Sequence, residues 1–131
     1  MRWGRPFDPD AEAIWVAGAV TGATGDIRDL LLLGDPGTPE TIIDEEVATE
    51  LGLGRSKAIG TGRFKGFTGP ENVYYVIAPE FASLGRSLHE VVIACSPFDP
   101  DFEIDGLLGL DFFRNTVVTL DFKQGRILLE D

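Results

Sequence analysis

The stretch Leu30-Leu31-Leu32-Leu33-Gly34-Asp35-Pro36-Gly37-Thr38-Pro39-Glu40-Thr41-Ile42-Ile43 governs how the rest of the chain is read. Four leucines without a polar break predict a strand buried on both faces. Asp35-Pro36-Gly37 ends that strand, because proline has no N–H for a sheet ladder and glycine takes up turn conformations that other residues resist. Apolar residues return at Ile42 and Ile43. A carboxylate is thereby carried on a loop at the end of a buried strand, a place that can hold it rigidly. Taken alone, Asp-Pro-Gly between two apolar runs is also an ordinary turn.

The surroundings decide what kind of protein carries this loop. With 131 residues, 44% of them hydrophobic and 25% charged, the chain is long enough for one domain with its own core. Sixteen glycines and eight prolines break it into short apolar runs, the mark of β-rich structure. A formal net charge of −11 argues against nucleic acid or an anionic membrane as partner. Cys95 is the only cysteine, so an internal disulfide and a multi-cysteine metal site are both excluded. It lies in the apolar run Val91 to Cys95 and reads as a small core residue. Met1 to Pro6 has no apolar stretch of the signal-peptide kind, and no apolar run approaches a membrane span. The expectation is a soluble, cytoplasmic chain.

Residues 1–12, rich in Pro and Asp, read as an N-terminal arm ahead of a domain at 13–131. Ala13 to Val20 and Ile27 to Leu33 predict a hairpin closed by Thr21 to Asp26. Asp44-Glu45-Glu46 opens a short helix that Gly52 and Gly54 close. Ser56 to Phe67 is a glycine-weakened, cationic edge strand with Arg63 and Lys65 among its glycines. Val73 to Ile77 and Leu88 to Cys95 are further strands, with Leu84-Gly85-Arg86 as a turn. His89, the only histidine, lacks a nucleophile or metal-ligand partner in sequence and reads as a strand residue facing water or a neighbour. Asp99, Asp101, Glu103 and Asp105 lack the spacing of a calcium loop. Asp111 is placed to cap one helical turn through Phe113. Thr116 to Phe122 and Arg126 to Leu129 form a last hairpin, and the apolar Arg126 to Leu129 offers an edge for pairing with a second subunit. Seven or eight short strands with one or two short helices make a small, closed or nearly closed all-β architecture.

Two motifs make this more specific. Asp35-x-Gly37-Thr38-x-x-Thr41-x-Ile43, followed by Ala48 and Leu51-Gly52-Leu53, resembles the active-site segment of the retropepsin-like aspartic proteases. Gly106-Leu107-Leu108-Gly109-Leu110-Asp111-Phe112-Phe113, followed by Thr116 to Asp121, resembles that family's Gly-Leu-Leu-Gly-x-Asp-Phe-Leu block and the strand after it. The two come in the family's order and cover about residues 27–53 and 104–130. Two positions depart from the pattern. Pro36 stands where the family has Thr or Ser, and Gly34 stands where an aliphatic residue usually precedes the aspartate.

The resemblance implies a closed β-barrel of retropepsin type and a defined chemistry. Two carboxylates close together cannot both ionise, so they share a proton. The ionised one activates a water and the protonated one hydrogen-bonds the scissile carbonyl. This chain supplies a single Asp-x-Gly-Thr segment, so an active enzyme is a homodimer with one catalytic Asp35 from each subunit. Gly37 and Thr38 shape the loop and face a polypeptide substrate. Residues 59–67, with Gly60, Thr61, Gly62 and Arg63, form a glycine-rich flap over it. No cofactor and no metal are implied. The alternatives are a domain of the same fold that has lost proteolysis and serves as a dimeric binding or scaffolding module, and an unrelated small barrel that binds a ligand.

Overall fold

The computed structural model describes the backbone of residues 1–66 and 69–131 and the side chains of residues 1–63 and 72–131. Its strands are β1 (Arg2–Pro6), β2 (Trp15–Thr21), β3 (Ile27–Gly34), β4 (Ile42–Asp44), β5 (Gly60–Gly66), β6 (Gly69–Ser83), β7 (Arg86–Ser96), β8 (Gly106–Leu108), β9 (Val117–Asp121) and β10 (Arg126–Glu130). Helix α1 (Glu45–Glu50) follows β4, and α2 (Leu110–Phe113) follows β8. Single 3-10 turns lie at Arg55–Lys57 and Pro100–Phe102. No helix among the described residues is long and apolar enough to cross a membrane.

The larger sheet runs β2-β3-β8-β4-β7-β6-β5, and a further pairing of β2 with β6 closes its first six strands into a barrel. β5 stays outside the closure and, among the described residues, pairs with β6 alone. The architecture expected from the turn-rich sequence is therefore present: a small closed all-β barrel with two short helices. Val20, Leu32, Ile43, Val76, Leu108 and Leu129 are fully buried in one continuous core. Each such side chain contributes about 1.5–3 kcal/mol relative to leaving it in water. Asp44 caps α1 by accepting from the Glu46 N–H, and Glu45 and Glu46 sit at the positive end of the helix. Val47, Ala48, Leu51 and Leu53 drop into the core, and Gly52 allows the exit turn with a φ of 72°.

Several expectations are corrected by the structure. Leu30 and Leu32 are buried, but Leu31 is 44% exposed, so β3 is covered on one face rather than two. A barrel wall has a single inside, and the flanking strands β2 and β8 cover the edges of β3, not its outer face. Residues 1–12, read as an arm, include β1, which pairs with β10 from Arg2↔Glu130 to Pro6↔Arg126, and the buried Phe7. The strand expected at Val73 to Ile77 extends through Ser83, past Pro79 and Glu80. Across from it, Glu90 takes a left-handed φ of 50°. Arg126 to Leu129 is not free to pair with another subunit through its backbone. β10 is the middle strand of a three-stranded sheet, with β1 on one edge and β9 on the other.

Candidate active site

β3 runs parallel to β8, and β4 lies antiparallel to β8 on its other side. The segment 35–41 therefore leaves one neighbour of β8 and returns as the other, which pins both ends of the loop. Asp35 N–H donates to the Leu108 carbonyl at 2.9 Å, and Gly34 N–H donates to the Ile14 carbonyl at 2.8 Å. Within the loop, Gly37 N–H donates to Asp35 Oδ1 at 3.0 Å and Thr38 Oγ1 donates to Oδ2 at 2.9 Å. Thr38 N–H also donates to the Asp35 carbonyl at 3.1 Å. Each carboxylate oxygen is thus gripped from within its own loop. The aspartate itself is only half-buried, and among the described residues no other side chain donates to its carboxylate.

The far end of the loop is clamped by β8 and α2. Thr41 N–H donates to both oxygens of Asp111, at 2.9 and 3.0 Å, and Thr41 Oγ1 donates to Asp111 Oδ1 at 2.7 Å. Gly109 N–H donates to Thr41 Oγ1 at 3.1 Å, and Leu110 N–H donates to the Thr38 carbonyl at 2.7 Å. Gly109 must be glycine here. A Cβ on it would stand 2.5 Å from the Glu40 carbonyl and 2.9 Å from that of Thr38. The residue that caps α2 is Gly109, not Asp111, whose side chain accepts from Phe112 N–H at 2.8 Å and from Thr41 across the loop. Sequence reading therefore gave Asp111 a local role and missed that it ties two distant segments together. The Thr41 offset in the motif was the available signal.

The two departures from the family pattern have different weight. A Cβ at Gly34 would meet Ile14 at 3.4 Å or more, so the position has room for a side chain and is not required to be glycine by contact. Pro36 is exposed at the tip of the loop and offers neither hydroxyl nor N–H.

The expected substrate residues fall into two groups. Gly37 and Thr38 contact Asp35 directly. Gly60, Thr61, Gly62 and Arg63 lie on β5, on a separate hairpin. Phe67, at the end of the expected flap, lies outside the described residues. The link between hairpin and loop is a pair that sequence reading missed: Tyr75 of β6 donates to Glu40, at 2.9 Å to Oε1 and 2.8 Å to Oε2. Burial, and then this carboxylate, push the Tyr75 phenol up to about 12.

Other chemistry finds little support. Burial pushes the Cys95 thiol up to about 12, so it stays protonated and un-nucleophilic near neutrality. His89 lies on the surface of β7, 4.0 Å from Glu80. Asp99 accepts from Asp101 N–H to cap the turn at Pro100–Phe102, and no cluster among the described residues has the makings of a metal site. A cavity of about 770 Å³ lies between α1 and the segment 97–105, away from Asp35, and its wall is strongly acidic.

Comparison with known proteins follows the same line. Residues 16–112 match the family model described as aspartyl protease. A retropepsin-like aspartic protease from Rickettsia conorii superposes with a TM-score of 0.68 at 15% identity, covering 98% of each chain. The retroviral protease-like domain of Ddi1 from Leishmania major superposes with a TM-score of 0.59 at 14% identity, over 92% of this chain and 94% of that one. At such identities the likeness is one of fold. No curated protein matches the sequence significantly. Because the family match spans most of the chain and takes in both Asp35 and Asp111, this protein belongs to the aspartyl protease family.

Proposed function

We propose that the protein is an aspartic endopeptidase that works as a homodimer, with Asp35 of each subunit meeting its twin. One carboxylate of the pair is ionised and draws a proton from a bound water. The other is protonated and hydrogen-bonds the peptide carbonyl. The β5–β6 hairpin covers a polypeptide bound across both subunits, with Gly60, Thr61, Gly62 and Arg63 along it and Gly37 and Thr38 beneath. Residues 13–131 form the protease domain, and residues 1–12 an arm bound to it through β1. The observation that carries this reading is the Asp35 carboxylate, oriented by Gly37 N–H and Thr38 Oγ1, with no further donor among the described residues. Because the pair shares one proton, activity rises toward acid and falls once both carboxyls are ionised.

Pro36 favours a second reading, a dimeric binding module of the same fold with weakened or lost proteolysis. In retropepsins, a Thr or Ser here hydrogen-bonds across the dimer; an exposed proline cannot. Peptide-library cleavage by the parent protein and by Asp35→Asn, with sedimentation of both, separates the readings. The endopeptidase reading expects a dimer whose cleavage is abolished in the variant while its fold is retained. Cleavage surviving Asp35→Asn would move the active site elsewhere. A dimer that cleaves nothing would favour the binding module.

A further inference from the structure

Among the described residues, β5 is hydrogen-bonded to β6 alone and takes no part in barrel closure. At its root, Ile59 N–H donates to the Tyr75 carbonyl at 2.8 Å, and Gly60 stands opposite Tyr75 in the ladder. The Tyr75 side chain passes beneath β5 on its way to Glu40. A Cβ on Gly62 would lie 2.8 Å from the Tyr75 hydroxyl oxygen, 3.0 Å from Cε2 and 3.3 Å from Cζ. At Gly60, on the same face, a Cβ would meet nothing within 4 Å. Gly62 is thus the position where any side chain displaces the phenol. The phenol ends on the carboxylate of Glu40, between Thr38, which touches Asp35, and Thr41, which touches Asp111.

We propose that Tyr75 is a positioning residue: it latches the β5–β6 hairpin to the Asp35 loop through Glu40, and Gly62 is the opening that lets it reach. The phenol contacts hairpin and loop together, so the two move as one body while the bond holds. Its loss frees the hairpin without touching the Asp35 carboxylate. The consequence for peptide hydrolysis rests on the endopeptidase reading above; the latch itself does not.

The test is hydrogen–deuterium exchange on the full chain, with steady-state kinetics beside it. Tyr75→Phe keeps the ring beneath Gly62 and removes only the hydroxyl. Amide exchange in residues 59–63 is expected to rise about three- to thirty-fold, the range for a partly exposed hydrogen bond to a charged acceptor, while β2, β3 and β7 keep their protection. Glu40→Gln retains an acceptor and stays close to the parent protein, whereas Gly62→Ala reproduces the effect of Tyr75→Phe. Where the parent protein cleaves a peptide, Tyr75→Phe raises KM more than it lowers kcat, because the cover is loosened and the carboxylates are left in place. A parent protein without cleavage would end the endopeptidase reading, and the exchange data would still decide the latch. Exchange in residues 59–63 unchanged by Tyr75→Phe, or raised equally across the whole barrel, overturns the proposal.

Discussion

Asp35 and Asp111 flank the same piece of chain and are treated in opposite ways. Asp111 receives Thr41 N–H, Thr41 Oγ1 and Phe112 N–H, which join β4 to α2. Asp35 receives Gly37 N–H and Thr38 Oγ1, both from its own loop. The first carboxylate spends its acceptor capacity on holding backbone together. The second is oriented by short-range partners and, among the described residues, keeps unused acceptor capacity. Residue type does not separate the two aspartates; the distribution of donors does, and on the endopeptidase reading it marks Asp35 as the chemical one.

The sharpest break of this comparison is Asp35→Asn. On the endopeptidase reading, peptide cleavage falls by about a thousandfold or more, since a neutral amide cannot serve as the base of a proton-sharing pair. Chemical denaturation should find the fold intact. Asp111→Ala is its counterpart. It strands the amide and hydroxyl of Thr41, which is only 4% exposed, and is expected to cost about 2–4 kcal/mol of stability, read in the denaturation midpoint. If Asp111→Ala leaves stability unchanged, the contrast drawn between the two aspartates fails.

Pro36→Thr sharpens the comparison on the homodimer reading. It introduces a hydroxyl and an N–H beside Asp35, a change that a two-fold dimer would make act twice. Association should tighten by about 1–3 kcal/mol in sedimentation experiments, with cleavage rising alongside if the domain is a weakened protease. A monomer in both forms, with only a small loss of stability in the variant, would count against the dimer.

The smallest effects come from the two threonines. On the endopeptidase reading, Thr38→Val removes one donor to Asp35 in a buried, nearly isosteric way and should lower kcat/KM about three- to tenfold while stability changes by about 1 kcal/mol or less. Thr41→Val also loses the acceptor for Gly109 N–H and should shift stability by about 1–3 kcal/mol. The comparison predicts that activity responds more to the first and stability more to the second. The reverse order would dissolve it.

Much of this was legible in the linear chain because it depends on local chemistry. Proline and glycine after four leucines stop a strand whatever lies across from it, so the loop carrying Asp35 could be read from its own residues. Asp44 with two following glutamates and Gly52 marks α1 for the same reason. The spacing Asp35, Gly37, Thr38, Thr41 and the later Gly106 to Asp111 identified the motif pair. Tertiary structure alone decided the rest. An unbroken apolar run cannot say that Leu31 faces outward, because that depends on which side of β3 the barrel closes. Nothing in Arg126 to Leu129 says that β1 returns from the far end of the chain to occupy its edge. Thr41 and Asp111 are far apart in sequence, as are Glu40 and Tyr75; Glu40 fills an unspecified position of the motif and Tyr75 lies outside both motifs. A hydrogen bond between distant segments leaves no local trace in either one, so a sequence can name the carboxylate but only the fold shows which donors and which neighbours surround it.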